Sequence, residues 1–350
     1  MRSMVLRDGT LLTRDDVPEP VPSEGQVLVG VRACGICGSD LHFARHGATM
    51  LALGERMAGR AVMGDPDDPS FKTDVGRDVF MGHEFAAEVL EAGPDTEAPP
   101  PGTIVTSVPA VISGTGIRDL AYGNDLPGGY SERMLLSAPL LLAVPNGLDP
   151  KHAALTEPMA VGLHAVNRSG IAPGDGAVVI GCGPVGLAVI AALRLRGIEP
   201  IVASDPSPGR RALATTMGAH EVVDPGSEGV FEMWGRAASG RPLVAFEAVG
   251  IPGMIDEVLR VIPTHSRLVV VGVCMQPDAI TPFFGIAKEL SVQFVLAYDL
   301  TEFAESLRAI AEGDIDVTPL ITGEVDLDGA PAAFDDLADP ERHCKILVVP

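Results

Sequence analysis

The sequence predicts two joined folds, a β-rich barrel-like domain and then an α/β domain built on a parallel sheet, and three observations predict them. Up to about residue 155 the chain breaks into short apolar runs at 26–32, 85–90, 103–108 and 134–136, punctuated by turn residues such as Pro99-Pro100-Pro101-Gly102. From about residue 160, β-branched runs at 177–180, 201–204, 221–223, 243–246, 267–271 and 292–296 alternate with helix-length segments. That alternation is the pattern of parallel strands joined by crossover helices. A glycine-rich turn between the first of these strands and the helix after it is the third observation.

The remaining stretches follow in order. An acidic turn cluster, Gly64-Asp65-Pro66-Asp67-Asp68-Pro69-Ser70, reads as a surface loop, 301–312 reads as a helix, and 345–349 reads as a short final strand returning to the first domain. The expected domains are therefore 1–156, 157–290 and a returning segment, 291–350.

Composition excludes several function classes. With 25 Lys and Arg against 47 Asp and Glu the net charge is −22, a surface that repels a phosphate backbone or an anionic membrane. Hydrophobic content of 46% supports a globular chain, and aromatics at 4% require an aliphatic core. The start lacks a secretory apolar region and no run of apolar residues is long enough to span a bilayer, so a cytoplasmic protein is expected. Five cysteines, an odd number thinly spread, favour free thiols or metal ligands over disulfides.

Two clusters carry chemistry. Gly181-Cys182-Gly183-Pro184-Val185-Gly186 follows a strand and opens a helix. Gly181 permits the tight turn, Gly183 lets a pyrophosphate approach bare backbone, and Gly186 lets the helix pack on the sheet. Asp205 ends the next strand, where a carboxylate can accept from an adenosine ribose and repel a 2′-phosphate; NAD is favoured over NADP, although Arg210 and Arg211 follow closely. The second cluster begins at Cys34-Gly35-Ile36-Cys37, which alone fits a redox pair, half a zinc site or two buried thiols. Ser39, Asp40 and His42 follow it, and Gly82-His83-Glu84 comes later; thiolate, imidazole and carboxylate together are donors that zinc accepts.

Cys37-Gly38-Ser39-Asp40-Leu41-His42, Gly82-His83-Glu84, Gly128-Gly129-Tyr130-Ser131-Glu132, Glu157-Pro158-Met159-Ala160-Val161-Gly162-Leu163-His164 and the glycine turn stand in the order seen in zinc-dependent medium-chain dehydrogenases. Over nearly its whole length the chain resembles the sorbitol, threonine and alcohol dehydrogenase branch. The resemblance implies a GroES-like β-barrel catalytic domain formed from both chain ends and a Rossmann domain, with zinc and substrate in the cleft between them. It implies that Cys37 and His83 bind one catalytic zinc, with Glu84 as a neighbouring carboxylate that exchanges onto the metal and Glu157 as a direct or water-mediated ligand. Asp40 resembles the carboxylate that orients the histidine ligand. Ser39 and His42 resemble a proton relay, and Val185, Val249 and Val271 resemble the apolar residues around the dinucleotide rings. A homodimer or homotetramer is implied in the same way.

Two departures bear on function. Residues 84–130 contain no cysteine, so the second, structural zinc of many relatives is not expected. The stretch between Cys37 and His83 is longer than the family commonly has, with an insertion at 43–80 whose Met50, Leu51, Leu53, Met57, Met63 and Phe71 can cap an active site or meet another subunit. The leading expectation is a zinc- and NAD-dependent dehydrogenase that converts a secondary alcohol or polyol to the ketone, or a primary alcohol to the aldehyde. The alternatives are a zinc-free, NADPH-dependent quinone or enoyl reductase of the same superfamily and a non-catalytic nucleotide-binding protein. Cys34 and His164 are read as packing residues, and Cys182 as filling the freely varying position of the glycine turn.

Overall fold

The structure is a computed structural model that describes residues 1–55, 72–114, 116–238 and 240–350. It divides into two compact units, Met1–Glu157 with Ile321–Asp339 and Lys345–Pro350, and Pro158–Leu320 with Pro340–Cys344.

The first unit is mostly antiparallel. β1 (Ser3–Arg7) lies between β2 (Thr10–Arg14) and β4 (Val79–Phe80) in a three-stranded sheet. A seven-stranded sheet centres on β3 (Gln26–Gly35), whose ten residues pair with β5 (Glu84–Ala92), with β9 (Arg133–Ser137) and, at Cys34 and Gly35, with β18 (Lys345–Val348). β6 (Ile104–Ser107), β10 (Leu141–Ala143) and β17 (Ile321–Val325) complete it, and β7 (Ala110–Ser113) forms a hairpin with β8 (Gly116–Asp119). Alternating apolar residues such as Val27, Val29 and Val31 on β3 and Ala87 and Val89 on β5 turn inward to one aliphatic core. α1 (Gly38–Glu55) follows β3 and kinks at His46; α2 (Pro150–Ala153) and α10 (Ala330–Asp336) are short. Of the apolar residues in the 43–80 insertion, Met50 and Leu51 on α1 pack against this unit's core, whereas Met57, Met63, Phe71 and the 64–70 loop lie outside the described residues.

α3 (Thr156–Arg168) leads into the second unit, a six-stranded parallel sheet of β11 (Gly176–Ile180), β12 (Ile201–Ser204), β13 (Glu221–Val223), β14 (Leu243–Glu247), β15 (Arg267–Val270) and β16 (Ser291–Phe294). The strands lie in the order β13-β12-β11-β14-β15-β16, with the order reversing beside β11. α4 (Pro184–Leu195), α5 (Pro208–Met217), α6 (Val230–Ala237), α7 (Met254–Val261), α8 (Pro282–Lys288) and α9 (Leu300–Glu312) are its helices. The near-continuous apolar runs of β11, β12 and β14 reflect burial on both faces, whereas the edge strands β13 and β16 are partly and fully exposed.

The expected segment boundary at 291 is corrected. β16 pairs in parallel with β15, so it and α9 belong to the second unit, and the chain returns to the first at Ile321. His164 packs in the second unit, its Nδ1 2.7 Å from Glu302 Oε2.

Candidate active site

In the first unit, register builds the Cys37–His83 cluster. Antiparallel pairing of β3 with β5 sets Cys34 opposite Phe85 and Gly35 opposite Glu84, which brings Cys37, just past β3, beside His83, just before β5. The chain can turn into β5 because Gly82 takes φ +94°; a Cβ there would sit 2.7 Å from the Tyr130 amide nitrogen. Cys37 then starts α1, whose first turn is fixed by Asp40: the Cys37 N–H donates to Asp40 Oδ2 at 3.1 Å.

Asp40 is fully buried and organises the cluster. Its Oδ2 also accepts from the Tyr130 hydroxyl at 2.6 Å, and its Oδ1 lies 3.5 Å from His83 Nδ1. Burial pushes the Asp40 carboxyl up, but His83, Tyr130 and the Cys37 amide outweigh it and hold the group below its ordinary value. Burial pulls the His83 pKa down, but the Asp40 and Cys37 charges outweigh it and hold it well above the ordinary histidine value. With the Asp40 carboxylate facing Nδ1 a proton stays there, which leaves Nε2 as the nitrogen available to a metal; Nε2 faces Ser39, whose Oγ is 3.3 Å away, and the Cys37 thiol is within His83's reach. Burial pushes the Cys37 thiol up, as does the Glu84 charge, while His83 pulls it down. A thiol and an imidazole nitrogen converging beside a hydroxyl, the imidazole backed by a carboxylate, are a donor set suited to zinc. Asp40 Oδ1 and His83 Nδ1 have no hydrogen-bond partner among the described residues, and positive charge at Nε2 would tighten their 3.5 Å contact into one.

Glu84, close enough for its charge to act on Cys37, is turned to a different partner. Both its oxygens accept from Lys345 Nζ, at 2.7 and 2.6 Å, and the ammonium also donates to the Ile36 carbonyl at 3.0 Å. The pair is almost wholly buried, so each charge needs the other. In this structure Glu84 is thus paired with Lys345, and among the described residues no group of three His, Cys, Asp or Glu side chains is gathered as for a metal. Glu157 is buried in the first turn of α3. His42 is exposed, three residues along α1 from Ser39 and thus on the same face of the helix. Partial burial and the nearby His46 and Arg45 charges hold its pKa below the ordinary histidine value.

The second unit carries the glycine turn as expected. Gly181 has φ +92°, and a Cβ on Gly186 would lie 1.9 Å from the Gly181 carbonyl oxygen, so both positions require glycine. Gly183 caps α4, with open space where its side chain would be, which leaves backbone N–H groups at a helix N-terminus free to receive a pyrophosphate. Asp205 is buried at the end of β12; its Oδ2 accepts from the Cys182 N–H and its Oδ1 from the Ser207 N–H, both at 2.8 Å. Arg211 is held by the Asp205 and Pro206 carbonyls, whereas the buried Nε of Arg210 has no hydrogen-bond partner among the described residues. Val185 lies in the first turn of α4, Val249 is exposed after β14 and Val271 is buried after β15. Sequence reasoning missed Glu247, which shapes the loop after β14 by accepting from the Val249 and Gly250 N–H groups at 2.7 and 2.8 Å. It also missed Lys345 and Tyr122, whose partners are distant in sequence; a lysine inside an apolar strand was the available signal for the first.

Two family profiles match the chain, an alcohol dehydrogenase GroES-like domain over residues 23–146 and a zinc-binding dehydrogenase domain over 184–312. The (R,R)-butanediol dehydrogenase of Bacillus subtilis is 32% identical, over 96% of each chain. The chain belongs to the zinc-type medium-chain dehydrogenase family. It is accordingly an oxidoreductase of the alcohol dehydrogenase type. The sorbitol dehydrogenase of B. subtilis is 25% identical, over 100% of this chain and 97% of its own. Among solved structures, 2R,3R-butanediol dehydrogenase from B. subtilis superposes with a TM-score of 0.82 at 30% identity, covering 100% and 99% of the two chains. A zinc-binding dehydrogenase from Sinorhizobium meliloti 1021, solved bound to NADP, gives 0.81 at 27% identity, with the same coverage.

Proposed function

We propose that this protein is a zinc-dependent dehydrogenase that uses NAD to oxidise a secondary alcohol of the diol or polyol class to the ketone, and that it also runs in reverse. The observation that carries this reading is the convergence of Cys37 and His83 Nε2 beside Ser39, with Asp40 behind the imidazole. Relatives named for butanediol and sorbitol support the substrate class.

Cys37 and His83 would hold the zinc, with Glu157 as the candidate to complete the set, and the glycine turn with Asp205 would hold the dinucleotide. When bound, zinc polarises the alcohol oxygen and nicotinamide accepts the hydride. The protein's own part is proton handling and orientation. Asp40 keeps His83 in the tautomer whose Nε2 is a ligand. Ser39 Oγ takes the alcohol proton as its own proton passes to His42, which is exposed and, with its lowered pKa, neutral and ready to accept near pH 7. The buried negative charge of Asp205 supports NAD, since a 2′-phosphate would be repelled there.

A second copy of this chain is the proposed partner. β16 is an open sheet edge, and Val292 and Phe294 on it, Phe283 and Ile286 on α8, and Val273 and Ile280 are all at least 41% exposed. Residues 289–298 carry one charge, Glu289, in a chain of net charge −22, so this edge is where two copies can meet without opposing like charges.

The test is NADH formation at 340 nm with 2,3-butanediol, sorbitol and 2-butanol, with NAD or NADP, before and after chelator treatment. Chelator-sensitive oxidation with NAD supports the reading; turnover of quinones or enoyl substrates with NADPH in chelated protein would replace it.

A further inference from the structure

Tyr122 is a buried hydroxyl that the proposed chemistry leaves unused. Its ring stacks on Phe43, centroids 4.1 Å apart and planes 7° from parallel, and meets the His83 ring edge-on at 6.1 Å. Its backbone is pinned on both sides: Thr73 Oγ1 donates to the Tyr122 carbonyl at 2.5 Å, and the Phe80 N–H donates to the Gly123 carbonyl at 2.7 Å. The phenol oxygen is inaccessible to water and has no hydrogen-bond partner among the described residues. Tyr130, by contrast, is satisfied by the Asp40 carboxylate. A buried hydroxyl without a partner is costly and uncommon, and Ser39 lies within hydrogen-bonding reach of this one.

Ser39 Oγ and His83 Nε2 share one proton across 3.3 Å, whichever of the two donates it. A metal on Nε2 ends that contact, and the Ser39 hydroxyl must then find another partner.

We propose that Tyr122 is a positioning residue for Ser39: once His83 Nε2 is occupied by zinc, the Tyr122 hydroxyl donates to Ser39 Oγ and holds it. Of the two Ser39 lone pairs, one is then fixed by Tyr122 and the other is left to accept the alcohol proton, while the Ser39 proton passes to His42. Ser39 gains one proton and gives up one, so the step balances. This inference rests on the zinc reading above.

Tyr122→Phe removes one oxygen and keeps the stacked ring. Because the hydroxyl is unpaired without metal, metal-free Tyr122→Phe is expected to melt no lower than metal-free wild type. Zinc affinity, measured by competition with a chromogenic chelator, is expected to weaken about three- to tenfold, the range one net hydrogen bond supplies. Turnover should fall roughly 10- to 100-fold with KM little changed. In a Ser39→Ala background, Tyr122→Phe should change zinc affinity and kcat by less than about twofold, because residues acting through one another are not additive.

Equal losses in both backgrounds, unchanged zinc affinity, or a lower melting temperature of the metal-free variant would overturn the role of Tyr122. Wild type that takes up no zinc would overturn the metal reading itself. Wild type that binds zinc but oxidises no alcohol would overturn the function and still leave Tyr122 tested by affinity and melting.

Discussion

Lys345→Met should unfold the first unit far more readily than its conservative size suggests. In the native chain Lys345 Nζ lies 2.7 and 2.6 Å from the two Glu84 oxygens and 3.0 Å from the Ile36 carbonyl, with the lysine 2% and the glutamate 1% exposed. Methionine fills most of the same volume but leaves a carboxylate in the core without its cation. Breaking a buried pair from one side costs about 3–5 kcal/mol. For a cooperative unit of this size each kcal/mol moves the melting temperature by about 2–4 °C, so a drop of roughly 6–20 °C is expected. The assay is thermal unfolding by circular dichroism in chelator-free buffer, with Glu84→Leu and the double variant Glu84→Leu/Lys345→Met alongside. The double variant should recover much of the loss, since replacing both partners with apolar groups leaves no charge unpaired. A Lys345→Met midpoint within about 2 °C of wild type would refute the argument that these charges depend on each other.

Four further outcomes follow from the same geometry. Asp40→Asn, which weakens the backing of His83 Nδ1, should lower zinc affinity or activity about 10- to 100-fold in a chelator competition and a steady-state assay. His42→Gln should slow alcohol oxidation about 100-fold or more. The wild-type rate should rise with pH through a value below the ordinary histidine range, because the folded protein disfavours the charged imidazole that cannot accept a proton; a pH–rate profile that His42→Gln leaves unchanged would contradict this. Val292→Lys/Phe294→Asp should turn a dimer or tetramer into a smaller species in light scattering if β16 is the contact, and leave the mass unchanged if it is not.

How much of this was legible in the sequence depended on how local the signal was. The glycine turn and Asp205 were readable because strand, turn and helix are contiguous and each glycine answers a local steric demand. Cys37 and His83 were found through the order of several motifs, and the structure supplies what the order does not, the β3–β5 register that sets Gly35 opposite Glu84. Lys345 as the partner of Glu84 was invisible because 261 residues separate them, and nothing in a strand sequence says which buried acid its lysine meets. Tyr122 was hidden for the same reason, lying next to Phe43 and His83 only after folding. The boundary misplaced at 291 shows a different limit: the run at 292–296 was counted among the parallel-sheet strands, yet the returning segment was drawn as starting before it, and the pairing of β16 with β15 shows that the sheet includes it.

The central claim is one zinc held by Cys37 and His83, and the most direct measurement of it is metal per chain by inductively coupled plasma mass spectrometry on gently purified wild type, Cys37→Ser and His83→Ala. One zinc per wild-type chain, lost from both variants together with NAD-linked alcohol oxidation, is the predicted result. Wild type without zinc, or variants that keep it, would contradict the claim.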